Sequence, residues 1–580
     1  MAMQTLVADR PAAGGPAPSA RRALPHPAWL GLGSGLLLWL AFPPAEWSTS
    51  AWFALVPLFL LVGERSARWA YAGSALGGFV FWLLALQWIL ATDSSAWLGW
   101  LAMAGFLSLS WPGFLFLARF ARSKLKLPLI VAAPVLWVAL EYGRAHILTG
   151  FPWFYLAHSQ FRLIYLTQIA DFAGSLGLSF LIATVNAFWV DLLTLPLFRN
   201  EAKGSTWGRL ALPVKARILI VGVGLLATVG YGSLRVHTAN FRPGPRVAML
   251  QSSEIVGVNL AQARSRDQAL AEFEALIRRA LASGPRPDLI VWPETGYPWG
   301  YPTIEPGIAE AIFDRQVKAI HPDYIPADWR ERRKMVLAYF EDVLRKTGVP
   351  MMVGASTYQF QQSGYSKFNS AILFRPGLAD QVYHKIHLVP FGEYVPLLEA
   401  MPWLIRLTPF RAGEVHFLDH GTKPTWFDLG PHRLAVAICF EDTVPHLVRR
   451  FFSEAPEGRQ PDLLVNLSND GWFHATSEHE MHLAVSVFRC IENRAPLARA
   501  VNTGVSAMID GNGRIVRSLP KLKEDVLVEV APLDDRVSFY SRWGDWLGLS
   551  CLAATLGWLI LGTFDPKGTR KREFAGPSSP

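Results

Sequence analysis

Cysteine is nearly missing from this chain: three thiols, Cys439, Cys490 and Cys551, occur in 580 residues. That number, at those spacings, excludes a disulfide framework and a cysteine-based zinc module. Histidine does not supply a metal set either. The segment SEHEMH, with His479 and His482 close after His474, lacks the HExxH spacing that puts two imidazoles on one helical face, so it reads as a polar helix start. Internal repeats are absent, and the low-complexity stretch is confined to the Pro/Ala/Gly-rich beginning, where residues 1–25 are expected to be disordered. No small-residue cleavage site and soluble start follow Arg21 and Arg22, which excludes a cleaved signal. The loops FPPAEWSTS and ATDSSA contain no lysine or arginine, an absence that proves useful for topology.

Apolar surface is what the chain has in quantity. Half of it (51%) is apolar, and 23 tryptophans lie largely near the ends of apolar runs, where membrane interfaces favour them. Eight runs read as spans, near 26–43, 50–63, 70–92, 96–118, 128–147, 172–197, 217–235 and 545–564. The third, YAGSALGGFVFWLLALQWILAT, is uncharged and long enough for a hydrocarbon core of roughly 30 Å. The first two are short and flanked by proline, and read either as spans or as a re-entrant hairpin; both return the chain to its starting side. Glu141 and Arg144, one helical turn apart near the outer end of a span, are expected to pair.

The net charge of +9 is gathered in short segments between the runs, which is the pattern of cytoplasmic loops and not of a phosphate-binding face; no nucleic-acid partner is implied. Arg10, Arg21 and Arg22, then Arg65 and Arg68, then Arg119, Arg122, Lys124 and Lys126, then Arg199, Lys203, Arg209 and Lys215, and finally Lys567 to Arg572 fall on alternate loops and both termini. The positive-inside rule puts all of them in the cytoplasm. The expected organisation is a cytoplasmic terminus (1–25), a membrane domain with seven spans (26–236), an extracytoplasmic block (245–535), an eighth span (545–564) and a basic cytoplasmic tail (565–580).

That outer block alternates strand-like runs, including RVAMLQ, DLIVWPE, MMVGAST, SAILFR, LAVAICF, DLLVNLSN and DVLVEVAP, with helical patterns such as LAQARSRDQALAEFEALIRRALAS. It reads as a layered α/β domain. Cys439 stands where LAVAICF runs into a helix-start signal, and backbone N–H groups with a helix dipole there would favour a thiolate. Glu294, at a strand end before a turn, reads either as an ordinary strand-end acid or as a half-buried general base. Lys385 offers either a solvated charge or a fixed cation beside a thiol and an oxyanion. Cys490 and Cys551 lie on apolar-periodic segments and read as packing residues, and a Cys439–Cys490 disulfide is rejected.

VWPET with Glu294, HKIHLVPFGEYVP with Lys385 and Glu393, and AICFED with Cys439 resemble the Glu–Lys–Cys order of the nitrilase (carbon–nitrogen hydrolase) superfamily. Within it, PFGEYVP, NLSNDGWF, RAPLARAVNTGVSAMIDGNG and the membrane segment LEYGRAHILTGFPW are similar to the bacterial apolipoprotein N-acyltransferases over nearly the whole chain. The resemblance implies a multi-pass α-helical membrane bundle carrying a nitrilase-like α-β-β-α sandwich, in the inner membrane with the catalytic domain on the periplasmic face. It further implies Cys439 as nucleophile, Glu294 as proton acceptor and Lys385 as oxyanion stabiliser, with no cofactor and no metal. A phospholipid would donate a fatty acyl chain through a thioester to the S-diacylglyceryl cysteine of an apolipoprotein, and the enzyme would act as a monomer in the lipid bilayer.

Glu393 would orient Lys385. Glu441 either caps the turn after Cys439 or serves the active site. The segment 394–410 reads as a helix on the core or as a lid over the outer leaflet; Tyr394, Trp403 and Trp472 are its candidate lid or substrate contacts. The sequence departs from the family pattern at Phe440, Leu260 and His474. The competing readings are a membrane-tethered amidase using water as acceptor and a non-catalytic membrane scaffold.

Overall fold

The computed structural model describes residues 25–195, 210–256, 265–398, 400–407 and 417–564. Residues 1–24, Leu260, the loop with Arg199, Lys203 and Arg209, and the basic tail lie outside them. Among the described residues, four helices are long and apolar enough to cross a membrane: Ala96–Lys124, Ser175–Thr194, Leu212–His237 and Trp546–Thr563. The helices Pro27–Leu40, Ala67–Ala85 and Leu129–Arg144 occupy three more of the expected runs. The run at 50–63 is not a continuous helix. It breaks into two 3₁₀ turns around a five-residue helix, Val56–Leu60, whose Pro57 is suited to a first turn and not to a helix interior. Pro27–Leu40 and Ala67–Ala85 touch backbone to backbone: a Cβ on Gly31 would stand 1.8 Å from the Gly73 carbonyl oxygen. Small residues permit this approach where lipid supplies no hydrophobic drive between helices.

The outer block is two packed sheets with helices outside each. The first sheet contains β1 (Arg242–Gln251), β2 (Leu289–Val291), β3 (Tyr301–Ile304), β4 (Met351–Gln361), β5 (Gly364–Arg375), β6 (Leu378–His384) and β13 (Asp525–Leu533), in the order β13-β1-β2-β4-β5-β6 with β3 on β4. The second runs β12-β11-β10-β9-β8-β7, built from β7 (Trp426–Leu429), β8 (His432–Ile438), β9 (Leu463–Asn469), β10 (Leu497–Asn502), β11 (Ala507–Ile509) and β12 (Ile515–Ser518). Strand β1 shows why its sequence is nearly all apolar. Val247 and Met249 join the core between the sheets, while Ala248 and Leu250 join a separate core under the helices Arg266–Ala282 and Pro326–Thr347. A strand buried on both faces needs no polar alternation.

The helix Glu478–Asn493 is buried along its whole length, between the second sheet and the membrane bundle. Around it the two halves are joined by charged groups. Arg494 pairs with Asp171 at 2.6 Å, Arg235 reaches the same carboxylate, and Ser175 N donates to Glu492 Oε1 at 2.9 Å. Glu141 and Arg144 do not form the expected ion pair. Arg144 donates to the Trp153 carbonyl at 2.7 Å and lies over the Trp82 ring, whereas Glu141 accepts from Trp137 Nε1 and Leu156 N. Each group has found uncharged partners in the loop 151–156, so the pair is replaced by two separate anchors.

Candidate active site

Three strands of two sheets end at one place. Glu294 follows β2 by three residues, Lys385 directly follows β6, and Cys439 directly follows β8. Strand ends are where a side chain can leave the pleat while its backbone stays anchored. Cys439 adopts φ +51° at the start of the 3₁₀ turn Cys439–Thr443, and Thr295, next to Glu294, adopts φ +50°. The Glu294 turn presses against β4, and only glycine fits below it: a Cβ on Gly354 would lie 2.3 Å from the Pro293 carbonyl and 2.7 Å from Glu294 Cα.

Lys385 is fully buried and held between two carboxylates. Its Nζ donates to Glu294 Oε1 at 3.1 Å and to Glu393 Oε1 at 2.9 Å. Asn369 Nδ2 makes the same bridge, at 2.6 and 3.1 Å. The Val389 amide donates to Glu393 Oε2 at 2.8 Å, whereas both hydrogen bonds of Glu294 fall on Oε1. One ammonium between two carboxylates leaves a net negative charge that a proton can offset. Burial, and then Glu393 against the pull of Lys385, raises the Glu294 carboxyl above its usual range. Burial works against the Lys385 charge, but Glu294, Glu393 and Cys439 hold it as ammonium well beyond its ordinary pKa.

The thiol departs from the expectation of a standing thiolate. Burial and the nearby Glu294 charge push Cys439 well up, against Lys385 and a hydrogen bond with Ser468. The physical reason is that the turn after Cys439 is a five-residue 3₁₀ segment, too short for a useful dipole, while Glu294 and Asp470 face the sulfur with negative charge. The resting group is therefore a half-buried thiol beside a carboxyl that can accept its proton. All three cysteines are free, and Cys490 and Cys551 are buried.

Glu441 clamps the site from behind. Its Oε1 accepts from Tyr383 OH at 2.8 Å and from the amides of Ile386 (2.6 Å) and His387 (3.0 Å), and its Oε2 from the amide of Ile438 at 2.8 Å. It thus ties the segment bearing Lys385 to the strand bearing Cys439, doing more than cap the turn. Phe440 lies beside His387 and Trp153, with ring centroids 5.7 and 6.4 Å away, and Trp88 meets Phe473 edge-on at 5.0 Å. Tyr394 hydrogen-bonds Thr149 of the membrane part. Trp403 and Trp472 are 55% and 37% exposed, and Trp403 sits in the short 3₁₀ turn Pro402–Leu407, not in a helix packed on the core; residues 399 and 408–410 of the 394–410 segment lie outside the described residues.

Two groups of side chains escaped the sequence reading. Asn369, which bridges both carboxylates, is a polar residue immediately before the apolar run SAILFR, a signal that was available. The second is a buried network behind Cys439. Arg499 reaches Asp442 (3.1 Å) and Asp470 (3.0 Å), and His482 reaches Asp442 (2.8 Å) and Asp470 (3.3 Å).

Comparison with known proteins agrees with this geometry. Residues 34–188 match the model of the apolipoprotein N-acyltransferase N-terminal domain, and residues 246–538 match that of the carbon–nitrogen hydrolases. The apolipoprotein N-acyltransferase of Geobacter metallireducens is 34% identical over 90% of this chain and 92% of its own. The chain belongs to the apolipoprotein N-acyltransferase family. Relatives of the same name from Chlorobaculum tepidum (30% identical, 92% of this chain, 95% of theirs) and Rhodopirellula baltica (28%, 93% and 98%) extend over both halves. As a member of that family it is an N-acyltransferase built on a carbon–nitrogen hydrolase domain. The membrane-tethered amidase is the weaker reading, because the membrane half matches as well as the catalytic half.

Proposed function

We propose that this acyltransferase moves a fatty acyl chain from a membrane phospholipid to the α-amine of an S-diacylglyceryl cysteine at an apolipoprotein N terminus, through a thioester on Cys439. The observation that carries the reading is the convergence of Glu294, Lys385 and Cys439 at strand ends that abut the membrane part through Trp153 and Thr149. In the first half-reaction Glu294 takes the thiol proton and the sulfur attacks the ester carbonyl. The Lys385 ammonium bears the oxyanion charge. The carbon–oxygen bond breaks, and the proton on Glu294 goes to the departing lysophospholipid oxygen. In the second, the amine attacks the thioester, Glu294 accepts its proton, and the thiolate leaves and is reprotonated.

Glu393 and Asn369 orient Lys385, and Glu441 fixes its distance from the nucleophile. Exposed Phe391, Leu397, Met401 and Trp403 suit the outer leaflet, which supports a lid role for this segment and for Tyr394 and Trp472 as contacts. The topology is taken as eight spans, with the 245–535 block on the periplasmic face of the bacterial inner membrane, on the basis of the loop charges. A monomer suffices, since one chain holds every group named. The test is mass spectrometry of the full-length protein incubated with phospholipid. A fatty-acyl adduct on Cys439, absent from Cys439→Ala and discharged by a diacylglyceryl peptide with N-acylation, is the expected result. Free fatty acid in place of acylated peptide would mean an amidase-like hydrolase, and no adduct with a slow acceptor would overturn the thioester.

A further inference from the structure

At the junction of bundle and catalytic domain, a second set of side chains converges. His146 lies just past the helix Leu129–Arg144, His446 is the second residue of the helix Pro445–Ser453 that follows the nucleophile turn, and Asp545 precedes the helix Trp546–Thr563. One nitrogen or oxygen from each lies within 4.8 Å of the other two. The two imidazole rings stack, with centroids 4.7 Å apart.

What distinguishes this cluster is the state of the atoms facing away from its centre. His146 Nδ1 contacts the Tyr142 carbonyl at 2.9 Å, which puts its proton there and a lone pair on Nε2. Tyr540 OH donates to Asp545 Oδ1 at 2.7 Å, leaving Oδ2 for another partner. His446 Nδ1 is buried without a hydrogen-bond partner among the described residues. One imidazole oriented from behind, a second with an unpartnered buried nitrogen, and one carboxylate oxygen form a borderline donor set, suited to zinc(II) and not to magnesium or calcium. Donor atoms around one zinc ion lie about 3.3 Å apart, so the three side chains, already within 4.8 Å of one another, have to draw together slightly on binding.

A second cluster gives the contrast. Asp470, Glu478 and His479 also converge, but Arg499 and His482 already supply the positive charge at 3.0 and 3.3 Å. A divalent ion there would have to displace cations. Near His446 no arginine forms an ion pair with the three side chains among the described residues: Arg449 donates to the carbonyls of Tyr540 and Arg542, and Arg489 pairs with Glu492, although both still act on Asp545 at longer range.

We propose that His146, His446 and Asp545 bind one borderline divalent cation, zinc(II) by their chemistry, which staples the catalytic domain to the ends of two membrane helices. The ion takes no part in acyl transfer. The test uses full-length protein in detergent, carrying Cys439→Ala to remove the reactive thiol and a purification tag free of histidine, stripped with chelator and titrated with zinc. Expected are one bound ion, a rise in Tm on zinc addition, and with cobalt(II) the visible d–d absorption of a tetrahedral ion. His146→Ala, at an exposed position, should keep the metal-free Tm and weaken zinc binding by roughly ten- to a hundredfold. Asp545→Asn should weaken it as well. Zinc uptake that His146→Ala leaves unchanged, no uptake at micromolar zinc, or an octahedral cobalt spectrum would each overturn the site.

Discussion

Two buried ion clusters flank Cys439, and they are built to opposite ends. On one side a single ammonium, Lys385, serves two carboxylates, Glu294 and Glu393. On the other, Asp442 and Asp470 face two cations, Arg499 and His482, and a third carboxyl, Glu478, lies 3.5 Å from His482. The first cluster is short of positive charge, so Glu294 is raised and able to take a proton. In the second, burial and Asp470 raise the Glu478 carboxyl so that it tends to keep its proton, and the remaining charges balance: although burial raises both aspartates, His482 and Arg499 hold them below the usual carboxylate range. Burial and Arg499 oppose the His482 charge, yet the aspartates hold that ring protonated well above its ordinary pKa. An unbalanced cluster moves protons, while a balanced one fixes geometry.

The largest expected effect falls on the unbalanced side. Glu294→Gln keeps the volume but removes the base, and should slow both half-reactions by on the order of 10²–10⁴, with little change in Tm. Cys439→Ala should abolish turnover altogether. Because the proposed base acts in its ionised form, kcat should rise with pH across a range above that of an ordinary carboxylate. Stopped assays of adduct formation and discharge separate the two steps; a Glu294→Gln variant that acylates at wild-type rate would end the comparison.

Breaking the balanced cluster should show in stability instead. Arg499→Met strands two buried carboxylates and should cost about 3–5 kcal/mol. His482→Gln should cost less, and the stability that His482 contributes should be fully present below its unfolded pKa of about 6.5 and be lost progressively as pH rises from there through the raised pKa of the folded ring. Thermal unfolding reads both. If the folded fraction of Arg499→Met loses acylation as severely as Glu294→Gln, the two clusters do not have separate roles.

Sequence carried the first cluster better than the second for a physical reason. Glu294, Lys385 and Cys439 each stand at the end of an apolar run, and a strand end is visible as a break in hydrophobicity. Arg499 sits inside RAPLARAVN and His482 inside a helix, where nothing in the local pattern shows that both will be fully buried. His482 is covered by Trp153 of the membrane part, with ring centroids 5.6 Å apart, and Arg499 by the helix Glu478–Asn493 through Ser486; both are tertiary events. The two sheets were legible as alternating runs, but their pairing order was not, since β13 returns to β1 across almost the whole domain. In the membrane, run length and charge gave the helices, and proline positions explain why 50–63 breaks.

Glu441 lies between the clusters and sharpens the contrast by a smaller amount. Burial raises its carboxyl to about 7 against the Ile438 and His387 amides, Lys385 and Tyr383. Between about 4.5, where the unfolded chain ionises, and about 7 the folded protein holds a proton that the unfolded chain releases. Stability should therefore fall as pH rises through that window, by up to about 3 kcal/mol. Glu441→Gln should flatten this slope. A slope identical in the variant would assign it to other buried acids such as Glu492, which burial also raises to about 7.

The smallest effect is expected at Phe440, next to Cys439 yet in neither cluster. Its ring stacks near Trp153 and His387, at 6.4 and 5.7 Å, so it joins the catalytic domain to the membrane loop by apolar contact. Phe440→Tyr adds one hydroxyl to a half-buried ring and removes no packing, and volume-conserving changes of this kind cost under about 1.5 kcal/mol. Adduct formation should stay within about threefold of the original, with any change in KM for phospholipid and not in the discharge step. Phe440→Ala, by contrast, removes the ring and should raise KM by about tenfold or more, because about 1–2 kcal/mol of aromatic contact is lost. A discharge rate that collapses in Phe440→Tyr would show that the nucleophile is tuned by its neighbouring ring as well as by the two ion clusters.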